Sequence, residues 1–263
     1  MQTSEINILE LETVDSTNSY AKINFESLDD GTLVCAETQT GGRGRLGRRW
    51  ASPAGVNIYA SLVMKQIQNP FYATITASLA VLQLLQSELP REYFFIKWPN
   101  DIYTGCRKIC GILSECHTAN TRIGGVIAGM GINVNMESAD LNAVGQPAAS
   151  LKSLSGKVFD LSRMIRQLAG LLARYYALYL NAPEKLFAEW KEHNIIIGRQ
   201  VQLTDASGGK LRSPFVRDIA ESGELIVEEG GVISRYSCGD VTLVKESLSF
   251  PAFEYDTFFD KKN

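Results

Sequence analysis

The sequence predicts an α+β fold, in which a mixed β-sheet flanked by helices is followed by a small C-terminal β-barrel. Helical and strand patterns are mixed without strict alternation over the first 194 residues, which is typical of α+β domains. Five short strand candidates, separated by glycine-containing turns, follow from about residue 195. Apolar residues make up 45% and charged residues 21% of the 263-residue chain, which is an ordinary globular composition.

Three helices are predicted from apolar residues at helical spacing. Asn69 and Pro70 begin the first helix, Asp160 caps a longer one, and Pro183 begins a shorter one. Strands are predicted between and before them, at INILELE, GTLVCAE, NIYASLVMK, EYFFIKW, a hairpin NDIYTGCRKICGILSE that turns near Thr104-Gly105, and RIGGVIAGMGINVNM.

A domain boundary is predicted near residue 195, where the texture of the sequence changes. The strand candidates beyond it are GRQVQLTD, KLRSPFVRDIA, ELIVEE, VISRYS and DVTLVKE, and their spacing favours a small closed barrel. Residues 1–194 are therefore assigned to the first domain and 195–247 to the barrel. Residues 248–263 form an aromatic tail without a clear pattern.

The charge balance and the cysteines limit the class of protein. A net charge of −3 argues against a protein whose main role is to coat nucleic acid. The five cysteines are scattered, the N-terminal segment lacks a secretory pattern, and no apolar run approaches the ~20 residues of a membrane span. We therefore expect a cytoplasmic protein that does not bind a membrane.

Cys106, Cys110, Cys116 and His117 lie close together in the sequence and suggest a zinc site. The segment KICGILSE, however, is predicted to be a strand, in which Cys110 and Cys116 would be roughly 20 Å apart at ~3.3 Å per residue. One metal ion could not bind both, and the thiols are interpreted as buried or partly buried side chains.

The segment GGRGRLGRRW, residues 41–50, contains the most unusual pattern in the chain. Gly42, Gly44 and Gly47 match G-x-G-x-x-G, but Pro53 and Gly55 would interrupt the helix that a Rossmann turn requires. The acidic residue expected ~20 positions later is also absent, since residues 38–87 contain no Asp or Glu. A P-loop is excluded because its terminal G-K-[ST] is missing.

A loop rich in arginine and glycine, without acidic neighbours, is suited to closing over an anionic ligand. Arginine binds carboxylate and phosphate through its planar fork, and glycine lets the backbone approach a ligand closely. Composition alone is equally compatible with a solvated basic loop or a nucleic-acid contact. The surrounding motifs favour an anion site: KWPND ends one strand, Lys108 and Gly111 lie on the next, and GMGINVN supplies a further strand that allows close approach.

Taken together, these segments resemble the biotin–protein ligases. The matching pieces are DSTN, ETQTGGRGRLGRRWASPAGVNIYAS, KWPND, RKICGILSE and GMGINVN, in the order and spacing of that family. The resemblance implies a catalytic domain like that of class II aminoacyl-tRNA synthetases and an SH3-like barrel at the C-terminal end. It implies that the enzyme activates biotin with ATP and Mg²⁺ to biotinyl-5′-adenylate and transfers biotin to a lysine of a biotin carboxyl carrier protein domain.

The resemblance also implies which residues do this. Lys108 and Arg45 are the expected catalytic residues, because fixed positive charge stabilises the transferring phosphoryl group. The residues expected to bind biotin are Ser16, Thr17, Asn18, Gln39, Arg43, Gly44, Arg45, Lys108 and Gly111. Those expected to bind ATP are Arg45, Trp50, Asn100, Asp101 and Asn133, and Asp101 is the candidate on the Mg²⁺ side.

Some members of the family also carry an N-terminal DNA-binding domain. Because DSTN begins at Asp15, a monofunctional ligase without sequence-specific DNA binding is expected here. Homodimerisation through a sheet edge occurs in some members and is left open. Two alternatives are a lipoate–protein ligase of the same superfamily and a non-catalytic module that binds anions or nucleic acid.

Overall fold

The computed structural model describes residues 6–119, 122–204, 213–237 and 240–243. The chain divides into two compact units, with the division between Ile195 and Ile196. None of the helices in the described ranges combines the length and apolar character that crossing a bilayer would require.

A mixed sheet forms the centre of the first unit. In the described residues its seven strands are β1 (Ile8–Val14), β2 (Leu33–Gln39), β3 (Ile58–Met64), β4 (Phe94–Lys97), β5 (Asp101–Thr104), β6 (Arg107–Ala119) and β7 (Arg122–Ile132). Their spatial order is β1-β2-β3-β7-β6-β5-β4, with β1 parallel to β2 and the other neighbours antiparallel. The predicted mixed sheet and the hairpin that turns at Gly105 are confirmed.

Helices pack against this sheet and against one another. They are α1 (Thr17–Ile23), α2 (Pro70–Glu88), α3 (Ser138–Asn142), α4 (Leu151–Ser155), α5 (Leu161–Asn181) and α6 (Pro183–Glu192). Asn69 and Asp160 accept hydrogen bonds from backbone N–H groups of α2 and α5, so both predicted N-caps are confirmed. The sequence analysis did not predict α1, α3 and α4, because helices of five or seven residues are too short to show a helical period.

Helix α1 is fixed to the sheet by a small apolar cluster. Ala21 and Phe25 are buried against Val34 of β2, Val63 of β3 and Ile127 of β7. Burial of these side chains holds the DSTN segment, which leads into α1, against the sheet.

The second unit contains β8 (Val201–Thr204), β9 (Phe215–Ile219), β10 (Leu225–Glu229), β11 (Val232–Tyr236) and β12 (Asp240–Leu243). These strands lie where the sequence predicts them, but the prediction of a closed barrel is wrong for the described residues. They form two separate antiparallel sheets, β11-β10-β9 and β12-β8. A bridge from Gln200 to Phe215 joins the β8 side to β9. Pro214 precedes this point and has no N–H to donate, which limits the ladder there. The predicted tail, 248–263, lies outside the described residues.

Candidate active site

Strand β6 is the element on which the sequence motifs meet. Lys108, Gly111 and Glu115 lie along it, and β7 runs antiparallel beside it with Gly131 opposite Gly111 and Gly129 opposite Leu113. Side chains alternate between the two faces of a strand, so the glycines at 129 and 131 open the same face of β7. Neighbouring groups can therefore approach the sheet backbone closely along this face.

A set of hydrogen-bonded polar side chains lies at one end of this face. We call it the amide cluster, and it consists of Thr17, Asn18, Gln39, Ser61 and Glu115. Asn18 Nδ2 donates to the Leu113 carbonyl at 3.0 Å and to Glu115 Oε2 at 2.8 Å. The Thr17 backbone N–H donates to Gln39 Oε1 at 2.9 Å.

The protons of the amide cluster show what it can still bind. The Ser61 hydroxyl oxygen lies 2.7 Å from both Thr17 Oγ1 and Asn18 Oδ1, and Thr17 Oγ1 lies 3.2 Å from Gln39 Oε1. Two hydroxyl protons thus serve three contacts. Asn18 has committed both amide protons to protein acceptors, and its Oδ1 can accept only. At Asn18 the cluster therefore has acceptor capacity left, which suits a ligand group that donates hydrogen bonds.

Gly129 is what allows Asn18 to sit in this cluster. A Cβ atom at position 129 would lie 2.3 Å from Asn18 Oδ1, closer than real Cβ contacts allow. Asn18 itself is 4% exposed. A residue larger than glycine at position 129 would therefore displace the Asn18 side chain.

A second set of side chains carries charge, further along β6. We call it the lysine cluster, and it consists of Arg45, Trp50, Asn100, Asp101 and Lys108. The Lys108 ammonium lies 2.7 Å from Asp101 Oδ1, and both side chains are largely buried. Arg45 Nη1 donates to Asn100 Oδ1 at 3.1 Å, and Asn100 Nδ2 donates to the Ile112 carbonyl at 2.5 Å. A lysine and an arginine are thus held close to the same stretch of β6.

The ion pair in the lysine cluster is short without being an aligned hydrogen bond. Asp101 Oδ1 is buried and has no hydrogen-bond partner of acceptable angle among the described residues, although the Lys108 ammonium is its near neighbour. A buried carboxylate oxygen with this geometry can take a further positive partner.

Cys110 lies on β6, two residues after Lys108. Burial raises the pKa of its thiol well above the usual range, and Lys108 lowers it and Asp101 raises it by smaller amounts. The Cys110 thiol is consequently protonated at neutral pH and inert.

The arginine loop, residues 41–50, is fastened to the sheet at several points. Arg43 Nη2 contacts Glu115 Oε2 at 3.0 Å, and Arg45 contacts Asn100. Within the loop, Leu46 has a left-handed backbone with φ of 55° and a side chain that is 59% exposed. Gly44 has an extended backbone, and a Cβ there would make only ordinary contacts with Arg48, so this conformation does not require glycine at position 44.

Trp50 ends the loop and lies on the glycines of the sheet. A Cβ at Gly131 would lie 2.4 Å from Cε2 of the indole, and one at Gly111 would lie 2.9 Å from Cζ3. The Lys108 ammonium is 5.4 Å from the ring centroid, within cation–π range. The indole Nε1 is buried and has no hydrogen-bond partner in the part of the chain that the structure describes. In this conformation Trp50 packs the loop against the sheet.

The remaining predicted residues, Ser16 and Asn133, belong to neither cluster. Ser16 is at the N-cap position of α1 and is buried, yet its side chain makes no capping bond within the described ranges. Asn133 is buried just beyond β7, where its backbone N–H donates to the Ile109 carbonyl, one residue from Lys108. Among the described residues, the structure gives no side-chain contact between Asn133 and the lysine cluster. The functional roles of all these residues stay predictions.

Sequence reasoning missed three side chains that the structure places among them. Ser61 and Glu115 belong to the amide cluster, and Ser52 accepts from Gln39 Nε2 at 3.0 Å. All three lie inside the motifs that carry the resemblance, so the sequence marked the segments in which they occur. Nothing in the sequence showed which side chains of those motifs face Asn18 and Gln39.

The described residues contain no group of three or more His, Cys, Asp or Glu side chains arranged to bind a metal. Cys110 and Cys116 lie on the single strand β6, as predicted. Asp101 supplies a carboxylate oxygen of the kind Mg²⁺ prefers, and Mg²⁺ is commonly bound by one or two carboxylates together with substrate phosphates.

Comparison with known proteins gives the class to which this fold and site belong. The family model described as "Biotin/lipoate A/B protein ligase family" matches residues 10–133. The chain is 33% identical over 244 residues to the bifunctional ligase/repressor BirA of Salmonella typhimurium, covering 90% of this chain and 74% of that protein. The chain belongs to the biotin/lipoate A/B protein ligase family.

Two further relatives make the comparison more specific. The biotin–[acetyl-CoA-carboxylase] ligase of Mycobacterium tuberculosis is 32% identical over 218 residues, covering 81% of this chain and 79% of that protein. Among solved structures, the biotin protein ligase of Aquifex aeolicus in complex with biotin and ATP matches with a TM-score of 0.76 and 25% identity, covering 90% of this chain and 98% of that one. The predicted resemblance is confirmed.

Proposed function

We propose that this protein is an ATP-dependent biotin–protein ligase, which activates biotin to biotinyl-5′-adenylate and transfers it to a lysine of a biotin carboxyl carrier protein domain. One observation carries the proposal: the amide cluster and the lysine cluster lie along the same strand, β6, and the arginine loop contacts both. A site for a polar ring and a site for two anions are thereby adjacent, in a chain whose relatives are named biotin ligases.

The amide cluster suits the ring end of biotin. Its spare acceptor capacity at Asn18 Oδ1 fits the N–H groups of a ureido ring. Thr17 and Gln39 belong to the same cluster, Ser16 precedes Thr17 in the chain, and Arg43 contacts Glu115. Gly111 has no side chain, and the Trp50 indole and the Lys108 side chain lie against the sheet backbone there. In this assignment Gly44 contributes backbone only.

The lysine cluster suits the first chemical step. A carboxylate oxygen of biotin attacks the α-phosphorus of ATP, the bond to the bridging oxygen breaks, and pyrophosphate leaves. Lys108 and Arg45 offset the repulsion between the two anions and stabilise negative charge that builds on the phosphoryl oxygens. Trp50, Asn100 and Asn133 are assigned to the nucleotide.

When bound with ATP, Mg²⁺ would neutralise charge on the phosphates. Asp101 is the residue proposed to face it, supported by the buried oxygen Oδ1 that has no aligned donor among the described residues. Lys108 and Asp101 hold each other in place before the substrates arrive.

In the second step the neutral amine of an acceptor lysine attacks the acyl carbon of the adenylate. The bond between that carbon and the phosphate oxygen breaks, AMP leaves, and the nitrogen loses a proton. An acyl-adenylate hydrolyses if water reaches it, so a covering segment is useful between the steps. The arginine loop is assigned this role, supported by its attachments at Arg43 and Arg45.

The alternatives are less well supported. The family description includes lipoate ligases, but the curated relatives reported above are biotin ligases. A purely electrostatic anion or nucleic-acid module would lose affinity steeply with salt. Biotin held by buried amide and hydroxyl groups would be nearly insensitive to salt.

Several finer assignments belong to the same proposal. Residues 1–194 would bind biotin and ATP, and residues 195–247 would form an accessory unit. A cytoplasmic location, the absence of operator binding and an optional homodimer stay predictions. Gel-shift assays with biotin-operon DNA and analytical ultracentrifugation measure the last two.

The transfer of biotin to an acceptor tests the proposed function. With ATP, Mg²⁺ and biotin, the protein should biotinylate an apo carrier domain on its acceptor lysine, detected by a mass gain and streptavidin binding. The same carrier domain with that lysine replaced by arginine should stay unmodified. Folded protein that leaves the intact carrier unmodified under these conditions would contradict the proposal.

A further inference from the structure

Glu115 occupies a position that the proposed chemistry does not yet use. It lies on β6 between the amide cluster and the arginine loop, with a side chain that is 22% exposed. A single carboxylate oxygen, Oε2, accepts from Asn18 Nδ2 at 2.8 Å and from Arg43 Nη2 at 3.0 Å. One atom is therefore shared by the start of α1 and by the loop.

The first of these contacts determines how the Asn18 amide is oriented. Its nitrogen faces two acceptors, the Leu113 carbonyl and Glu115, and its oxygen faces the Ser61 hydroxyl. Turning the amide over would place Oδ1 against a carbonyl and a carboxylate, which is repulsive. In this orientation Oδ1 accepts from Ser61 and keeps acceptor capacity, so Asn18 can offer a ligand an acceptor and no donor.

The second contact attaches the arginine loop to the sheet. Residues 38–87 contain no acidic side chain, so a carboxylate partner for Arg43 has to come from another part of the chain. Glu115 supplies it from β6, and the same guanidinium nitrogen lies 3.4 Å from Ser19 Oγ on α1. The contact of Arg43 with Glu115 is a charge-assisted hydrogen bond, which is stronger than a neutral one. Removing the carboxylate charge should therefore weaken the attachment of the loop.

We propose that Glu115 is a positioning residue that orients the Asn18 amide toward the bound ring and at the same time fastens the arginine loop through Arg43. The binding of the ring and the attachment of the loop then depend on one carboxylate. The assignment of the ring to biotin rests on the proposed function above, whereas the attachment of the loop does not.

The isosteric variant Glu115→Gln tests the first half. It keeps the side-chain shape and removes the charge, and a hydrogen bond to a charged group is lost or weakened at both donors. In biotin-dependent pyrophosphate–ATP exchange, the KM for biotin should rise at least about tenfold. The kcat and the KM for ATP should change by less than about threefold, because Arg45 keeps its own contact with Asn100. Glu115→Asp, which restores the charge on a shorter stem, should recover part of the affinity.

The matched control is Glu88→Gln. Glu88 pairs with Arg163 at 2.7 Å across α2 and α5, so this variant also removes one paired carboxylate, but away from both clusters. Its KM for biotin should equal that of the wild type. A Glu115→Gln variant with a wild-type KM for biotin, or one whose only defect is a lower melting temperature, would overturn the positioning role.

Proteolysis tests the second half without any ligand. The arginine loop carries four arginines, and trypsin cleaves after arginine only where the backbone can unfold locally. Cleavage within residues 43–49 of folded Glu115→Gln should be at least about fivefold faster than in the wild type and in Glu88→Gln. An unchanged cleavage rate would overturn the attachment. A wild type without biotin-dependent exchange would instead refute the proposed function and leave the proteolysis result as the test of the attachment.

Discussion

Single side chains carry the proposed chemistry, and Lys108 is the most important of them. Its ammonium lies close to both Asp101 and the face of Trp50. Its charge is partly compensated in this conformation, so an incoming carboxylate and phosphate compete with Asp101 for the ammonium. A point charge on a flexible stem can shift between such partners with little rearrangement.

Replacement of Lys108 by alanine tests this role. The rate of biotin-dependent pyrophosphate exchange should fall at least about 100-fold, because one fixed donor on developing phosphoryl charge is typically worth that much. The fold should be retained, as measured by circular dichroism and a cooperative thermal transition.

The control for that variant is Lys152→Ala, which removes a partly exposed lysine that pairs with Glu137 and belongs to neither cluster. Exchange should be unaffected. If Lys108→Ala turned over biotin and ATP at close to the wild-type rate, the assignment of Lys108 as the catalytic residue would be wrong.

Individual site residues could be predicted from the sequence where they belong to a motif of the family. Lys108, Arg45, Asn100 and Asp101 were predicted from the resemblance, and the structure brings them together, although their roles stay predictions. Glu115 lies in one of the matching motifs but had no predicted role. Its partners lie 97 and 72 positions away in the chain, and only the tertiary fold shows that they meet.

Among the elements, β6 and β7 do most to form the site. Paired glycines at 111 and 131 remove side chains from adjacent strands, which lets the Trp50 indole lie directly on the backbone. A position without a side chain in a strand usually marks such a close approach. Gly129 does the same for Asn18.

Gly131→Ala tests the importance of this open face. The new Cβ would overlap the indole at 2.4 Å, so Trp50 has to leave its position. We expect at least about a tenfold rise in the KM for ATP, together with a shift in tryptophan fluorescence; overpacking of this kind usually costs about 1–3 kcal/mol of stability.

Gly170→Ala is the matched substitution elsewhere. Gly170 lies in α5, where a Cβ added at this position would have open space around it among the described residues, so alanine should leave the KM for ATP unchanged. It should raise the free energy of unfolding by about 0.5–1 kcal/mol, the usual gain from removing a glycine within a helix. A Gly131→Ala variant with wild-type KM and fluorescence would show that Trp50 does not depend on the glycine face.

Elements with a clear local signal were predicted well. Alternating or continuous apolar runs identified the strands of the large sheet. Periodic apolar residues identified α2 and α5 together with their N-caps, and α6 together with Pro183. Helix α1 was missed because it has only seven residues and is stabilised by burial of Ala21, and of Phe25 just after the helix, against the sheet. The closed barrel was wrong because strand candidates indicate only segments, whereas closure depends on ladders between strands, and in the described residues Gln200 and Phe215 form an isolated bridge.

For the whole molecule, the chain combines an acidic net charge of −3 with a loop that carries four arginines. Positive charge is therefore concentrated at the proposed site, where two anions have to be brought together. Membership of the ligase family, the two polar clusters on β6 and the attached loop all agree with one activity, the adenylation of a small carboxylic acid.

Pyrophosphate–ATP exchange, run with biotin, with lipoate and with neither acid, measures this adenylation step. Exchange should require biotin and Mg²⁺ and should stay at background with lipoate or without an acid. Exchange with lipoate alone would keep the adenylation chemistry and contradict the assigned substrate. Folded protein that shows no exchange with either acid would contradict the ligase assignment itself.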